Sequence, residues 1–205
     1  MIRAIIFDYG NVIARFDHTI FFNRISAFSS LTHAELFDAV RAEPNLIVEY
    51  ETGRLSSEKF FALACERLRL SISEPRFRER FVNIFERIPT TIQLIRQLKP
   101  HYKIGLLSNT NEWHYQAEMM EILPLFDSVS LSFQVGAMKP SERIYRDALA
   151  KLRLAPAACI YIDDIVEYVE KAETLGLKVI HYTSHEKLVS SLSALGVSAR
   201  SVTVP

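Results

Sequence analysis

Ile2-Arg3-Ala4-Ile5-Ile6-Phe7-Asp8-Tyr9-Gly10-Asn11 opens with a largely apolar, β-branched run and then meets a carboxylate at Asp8. Similar runs recur at Lys103 to Leu107, Ser128 to Phe133, Cys159 to Ile162 and Lys178 to Tyr182. Runs of this length and composition read as buried strands. Helical-period segments separate most of them: Ile92, Leu94, Ile95 and Leu98; Ile144, Tyr145, Ala148, Leu149 and Leu152; Val169, Ala172 and Leu175. Strands so continuously apolar need helices on both faces, which predicts an α/β fold with a doubly wound parallel sheet.

From about Arg15 to Ile88 the rhythm breaks. No convincing strand run appears there, only helical patterns such as Phe60, Phe61, Leu63, Ala64, Arg67 and Leu68, so this stretch reads as an inserted helical unit. Gly53 supplies a stop signal, and Ser56 or Ser57 an N-cap, making Glu51-Thr52-Gly53-Arg54 a helix–helix turn; a binding role for this charged turn is the competing reading. A last helix is expected around Leu188 to Leu195, with a frayed tail after it.

Composition bounds the function. The 205 residues suffice for one large domain, or one domain with a small insert. Twenty-four Lys and Arg balance 24 Asp and Glu with no like-charge block, so neither a nucleic-acid footprint nor an acidic tail is visible. Cys65 and Cys159 lie in apolar runs without metal-ligand spacing and read as core packing. The first apolar run reaches Asp8 too soon for a signal sequence, and no stretch approaches the roughly 20 apolar residues of a membrane helix. A cytoplasmic, reduced setting is the default expectation.

In an open parallel sheet, ligands collect outside the carboxyl ends of the strands. Four such positions carry polar chemistry: Asp8; Ser108-Asn109-Thr110-Asn111; Lys139-Pro140; and Asp163-Asp164. Singly, each has a plain explanation as a turn cap, helix N-cap or solvated loop residue. Jointly, at successive strand ends, they point to a site. If Asp8 and one of the later aspartates approach within about 4 Å, their repulsion is about 4 kcal/mol at an effective dielectric of 20. A hard divalent ion relieves it, and carboxylates with a backbone carbonyl and waters suit Mg²⁺, which prefers to share oxygens with a phosphate. Lys139 would offset remaining phosphate charge and Ser108 would hold its oxygens, leaving Asp8 as the nucleophile.

These residues resemble the haloacid dehalogenase-like hydrolase superfamily over nearly the whole chain. Ile5 to Ile13 resembles its first motif, Leu106 to Asn111 the second, Gly136 to Pro140 the third and Ile160 to Asp164 the fourth. The similarity is greatest to bacterial sugar-phosphate phosphatases with an Asp-x-Gly-Asn-Val start and to the N-terminal phosphatase domain of soluble epoxide hydrolases. It implies a Rossmann-like core, residues 1–14 and 89–205, with an all-α cap at 15–88 that selects the substrate. It further implies a Mg²⁺-dependent phosphatase of small phosphate esters, sugar phosphates among them. Asp8 would be phosphorylated, Ser108 and Asn109 would bind the phosphoryl group, and Lys139 would steady both. Asp8, the Gly10 carbonyl and Asp164, with Asp163 beside them, would hold the metal.

Two positions depart from the pattern. Most phosphatases of the superfamily carry an acid–base aspartate two residues after the nucleophile, where this chain has Gly10. Such help is typically worth 10²- to 10⁴-fold, roughly 3 to 5 kcal/mol. Four residues after Asp164, where an Asp or Asn commonly orients a metal-bound water, stands Tyr168. Asp17, His18, Trp113 and His114 are further pocket candidates whose plain readings are capping, surface exposure and packing. Competing functions are a metal-independent 2-haloacid dehalogenase, disfavoured by Asp163-Asp164, and a weakly active or non-catalytic phosphate-binding protein.

Overall fold

The computed structural model describes residues 1–42 and 44–197. In chain order, β1 (Ala4–Phe7) is followed by a short strand β2 (Ala14–Phe16) and five helices: α1 (His18–Ser26), α2 (His33–Arg41), α3 (Pro44–Glu51), α4 (Ser57–Arg67) and α5 (Glu74–Val82). A second short strand, β3 (Phe85–Arg87), leads to α6 (Pro89–Leu98), β4 (Lys103–Ser108) and α7 (Glu112–His114), whose path continues through a π-helical turn at Tyr115–Met119. The rest alternates: β5 (Ser128–Leu131), α8 (Ser132–Val135), α9 (Glu142–Leu152), β6 (Cys159–Asp163), α10 (Val166–Thr174), β7 (Lys178–His181) and α11 (His185–Ala194).

Five strands form one parallel sheet in the order β5-β4-β1-β6-β7, so the chain winds outward from β1 in one direction and then returns to the other side. Side chains alternate across it as strand geometry requires. Ile5 and Phe7 pack with α6 and α11 through Ile92, Ile95, Leu188 and Leu192. Ala4 and Ile6 face α9 and α10 through Ile144, Ala148 and Ala172. Both faces are covered, as the apolar runs predicted.

Three local expectations are corrected. The run Ser128 to Phe133 ends as a strand at Leu131, because Ser132 turns its hydroxyl onto the Thr110 backbone, accepting from its N–H (2.8 Å) and donating to its carbonyl (2.9 Å), and opens α8. The interval from Arg15 to Ile88 does contain strand: β2 and β3 pair antiparallel, Ala14 opposite Arg87 and Phe16 opposite Phe85. Three residues are too few to show a period of two, so the pattern could not reveal them. Cys159 is buried as expected, whereas Cys65 on α4 is only half-buried. The expected tail beyond residue 197 lies outside the described residues. Among the described residues no helix is long and apolar enough to cross a membrane.

The helices α1 to α5 own a separate apolar cluster, including Phe21, Leu36, Tyr50, Phe60, Phe77 and Phe81. Trp113, from the segment after β4, inserts into it and meets Tyr50 edge-on at 6.0 Å between ring centroids. The turn after α3 is a Schellman cap: the Arg54 N–H reaches the Glu49 carbonyl (2.8 Å) and the Gly53 N–H the Tyr50 carbonyl (3.1 Å), with Gly53 at φ +69°. Ser56 then caps α4 by accepting from the Lys59 N–H at 3.3 Å.

Gly53 does more than terminate a helix. A Cβ there would lie 2.2 Å from the Phe133 carbonyl oxygen of α8, so this turn and the strand-end region approach backbone to backbone. Gly196 has a similar φ, +77°, with nothing near its missing Cβ. Gly53→Ala is therefore expected to cost clearly more than Gly196→Ala, whose penalty is the left-handed conformation alone, about 1–2 kcal/mol. Urea unfolding of both variants checks this; equal losses would show that the close approach has no energetic weight.

Candidate functional site

β4 and β6 flank β1 directly, with Phe7 in register with Leu106 on one side and Ile162 on the other. The residues that end these strands are therefore brought together at one edge of the sheet: Asp8 between Ser108 and Asp163-Asp164. Asp8 and Ser108 are buried, and carboxylate oxygens of Asp8, Asp163 and Asp164 lie within 4.8 Å of one another.

Lys139 enters this cluster from the loop after α8. Lys139 is 4% exposed, and its ammonium donates to Asp8 Oδ1 and Asp163 Oδ2, each at 2.7 Å. Asn109 aims it: its Oδ1 accepts from the Lys139 N–H (2.8 Å) and its Nδ2 donates to the Lys139 carbonyl (3.2 Å). Both ends of the Asn109 amide are thus spent on the lysine backbone. Ser108 Oγ makes one weak local bond, to the Asn109 carbonyl at 3.3 Å.

The two adjacent aspartates differ in character. Asp163 is fully buried, and its oxygens accept from Lys139, from the Tyr161 hydroxyl and from the Ile165 N–H (2.8 Å). Asp164 is half-buried and is held by Asn11, whose Nδ2 donates to its Oδ2 at 2.9 Å. Asn11 sits at φ +54°, a left-handed conformation that asparagine tolerates better than most residues. The Gly10 carbonyl accepts from the Val12 N–H at 2.7 Å and retains a second lone pair.

Electrostatics follow from burial. Loss of water pushes the Asp8 carboxyl up to about 7; Lys139 opposes that rise and Asp163 adds to it. Burial pulls Lys139 down, but the two carboxylates outweigh it and hold the ammonium charged. Three carboxylates against one ammonium leave excess negative charge concentrated in a low-dielectric space. The donor set is all oxygen, with Asp8, Asp164 and the Gly10 carbonyl carrying unused lone pairs, which suits a hard divalent cation such as Mg²⁺.

The four uncertain candidates separate. Asp17 caps α1, accepting from the Thr19 N–H at 2.8 Å. Trp113 is packing. His114 is buried with both ring nitrogens engaged: Nδ1 accepts from Asn111 Nδ2 (3.0 Å) and Nε2 donates to the Phe81 carbonyl (3.0 Å). His18 lies against Phe16, 5.0 Å between ring centroids, and lines a cavity of about 250 Å³ together with His114 and Glu51. Most of the remaining wall is apolar, from Phe21, Ile47, Phe60 and Phe77.

Sequence reasoning gave no role to Asn11 and Tyr161, and only a weak one to Glu51. Their places inside the first and fourth motifs were the available signal for the first two. Tyr168 packs its ring 5.0 Å from the Lys139 ammonium, a cation–π contact that its spacing after Asp164 did not suggest.

The sequence profile of the haloacid dehalogenase-like hydrolases matches residues 2–173. Among curated proteins, the D-ribitol-5-phosphate phosphatase of Bacteroides thetaiotaomicron is 23% identical over 189 residues, covering 87% of this chain and 90% of that protein. A predicted HAD-like family hydrolase from Porphyromonas gingivalis superposes with a TM-score of 0.79 at 26% identity, covering 95% of this chain and 98% of that one. A HAD family enzyme from B. thetaiotaomicron, solved with magnesium and inorganic phosphate, gives 0.79 at 17% identity over 89% and 95% of the two chains.

Burial holds the His114 pKa down at about 4, opposed by its bond to Phe81 and reinforced by His18. The unfolded chain therefore takes up this proton first, and the histidine's contribution to stability, whole above pH 6.5, is lost as pH falls toward 4. At 1.36 kcal/mol per pKa unit the loss is at most about 3 kcal/mol. The stability difference between the native protein and His114→Gln should shrink by about that much between pH 7 and pH 4 in denaturant titrations. A difference independent of pH would mean the buried imidazole protonates normally.

Proposed function

Because this chain belongs to the haloacid dehalogenase-like hydrolase family, we propose that it is a Mg²⁺-dependent phosphatase of small phosphate esters, acting through a phosphorylated Asp8. The observation that carries this reading is the Asp8 carboxylate at the end of the central strand, with one oxygen held by Lys139 and Asp164 alongside. Lys139 leaves Asp8 Oδ2 free to attack phosphorus, while its ammonium and the Ser108 hydroxyl hold the phosphoryl oxygens. Asn109 and Asp163 act on the lysine, one through its backbone and the other through its ammonium.

Asp8, Asp164 and the Gly10 carbonyl would hold Mg²⁺, which supplies charge neutralisation at the phosphoryl oxygens when bound. Asp163, with its oxygens already engaged, would act beside the metal rather than on it. In the first half-reaction the bond between phosphorus and the ester oxygen breaks as Asp8 Oδ2 bonds to phosphorus. In the second, water attacks the same phosphorus, releasing phosphate and regenerating the carboxylate. Residues 15–88, the helical unit with its own apolar cavity, would be the cap that selects the ester.

The substrate class is a small phosphate ester, and the named activity of the B. thetaiotaomicron relative makes sugar and polyol phosphates candidates. The apolar wall of the cavity calls for alkyl and aryl phosphates in the same panel. Turnover of p-nitrophenyl phosphate should require Mg²⁺ and stop with chelator. Asp8→Asn should lower kcat about 10³-fold or more while leaving the thermal transition cooperative. Mg²⁺ binding without turnover on any phosphate ester would overturn the proposal, and chloride release from a 2-haloacid without metal would replace it with a dehalogenase.

A further inference from the structure

Gly10 leaves the nucleophile without an acid–base neighbour on its own loop, and the space is not simply vacant. A Cβ at Gly10 would lie 2.9 Å from Cε1 of the Phe16 ring. A proton donor must therefore come from another element. Asp17 is exposed and caps α1, and His114 has both nitrogens committed within the protein. His18 is held by burial below its usual pKa, which leaves it a poor acid reservoir at neutral pH.

Glu51 is different. It ends α3, lines the cavity beside His18 and His114, and lies near the amide of Asn111 in the strand-end segment after β4. The Asn111 amide has two hydrogens; one serves His114 Nδ1, and the other remains available to the nearby Glu51 carboxyl. The turn that carries Glu51 is closed by the Schellman bonds of Gly53 and Arg54 and lies against the Phe133 carbonyl, a few residues before Lys139. The helical unit thus brings this carboxyl close to Asn111 and into the field of Lys139, on a turn fixed by backbone contact with α8.

We propose that Glu51 replaces the missing aspartate as general acid and base of the reaction. Protonated Glu51 gives its proton to the ester oxygen as the phosphorus–oxygen bond breaks and Asp8 is phosphorylated. The resulting Glu51 carboxylate then takes a proton from the water that attacks phosphorus, which frees phosphate and restores both side chains. The inference rests on the aspartyl-phosphate reading above.

The electrostatic surroundings agree with this role. Burial raises the Glu51 carboxyl to about 7, with the Asn111 amide and the Lys139 charge partly opposing the rise. His18 from α1, Arg67 from α4 and His114 after β4 are the other titratable groups facing the same cavity. An acid poised near neutrality is suited to giving and recovering one proton per cycle.

The test compares p-nitrophenyl phosphate, a good leaving group, with an alkyl phosphate, a poor one, in the Mg²⁺-loaded full chain. For Glu51→Gln, kcat/KM on the alkyl ester should fall 10²- to 10⁴-fold while kcat/KM on the aryl ester changes little. On the aryl ester kcat should fall and a burst of p-nitrophenol should appear, because phosphoenzyme accumulates without a base. The native alkyl-ester kcat/KM should decline as pH rises through about 7, a limb absent in Glu51→Gln, and Glu51→Asp should recover part of the activity. Independently of turnover, the ¹³C shift of the Glu51 carboxyl should titrate near 7. Equal losses on both esters without a burst, or no loss, would overturn the acid–base role. Absence of turnover by the native protein on either ester would overturn the phosphatase reading itself.

Discussion

Lys139 is an ammonium buried between two carboxylates, and much of the site is arranged around keeping it there. Removing a charge of this kind from water costs several kcal/mol, which contact with Asp8 and Asp163 recovers only if the geometry is close and the remaining lone pairs are filled. Asn109 fixes the lysine backbone from β4, Tyr161 and the Ile165 N–H complete the bonding of Asp163, and the Tyr168 ring closes the side of the ammonium. The ends of β1, β4 and β6 are thereby tied to one point. Loss of the lysine would leave two buried carboxylates repelling each other, so the interaction that supports the proposed chemistry also holds the sheet edge together.

The helical unit is tied to the same edge by apolar and backbone contact rather than by charge. Trp113 leaves the strand-end segment and enters the aromatic cluster of α1 to α5, and the neighbouring His114 stacks 4.5 Å from Phe81 while donating to its carbonyl. On the opposite side, Gly53 brings its turn onto α8. These contacts decide which side chains of the unit approach the strand ends, and Glu51 is a carboxyl they bring into the field of Lys139. Phe16 fills the space beside Gly10, while Glu51 faces the cavity lined by the helical unit.

Much of the architecture was legible because its causes are local. Buried parallel strands must be short and apolar, so Ile5 to Phe7, Ile104 to Leu107 and Ile160 to Ile162 announced themselves, and helical periodicity marked α6, α9 and α10. Where the cause is not local the reading failed: β2 and β3 exist only because each pairs with the other across 68 intervening residues, Phe85 following Phe16 at that distance. Similarly, the apolar run that suggested a strand through Phe133 is interrupted by a hydroxyl that prefers the Thr110 backbone.

At the site, the sequence by itself determined the roster at the strand ends, with Asp8, Ser108, Lys139 and Asp163-Asp164 spaced so that a parallel sheet must gather them, and it exposed the gap at Gly10. Tertiary structure decided what each of them does. Asn109, expected on the phosphoryl group, spends its amide on Lys139; Asp163 has its oxygens taken by three donors while Asp164 keeps lone pairs to spare; and Asn11, given no role, orients Asp164. Glu51, read mainly as the edge of a turn, comes into the field of Lys139 although 88 positions separate them. A strand's chemistry can be read along the chain because its ends are adjacent by construction. Hydrogen-bond partners and burial are set by which elements pack together, and that is decided only in three dimensions.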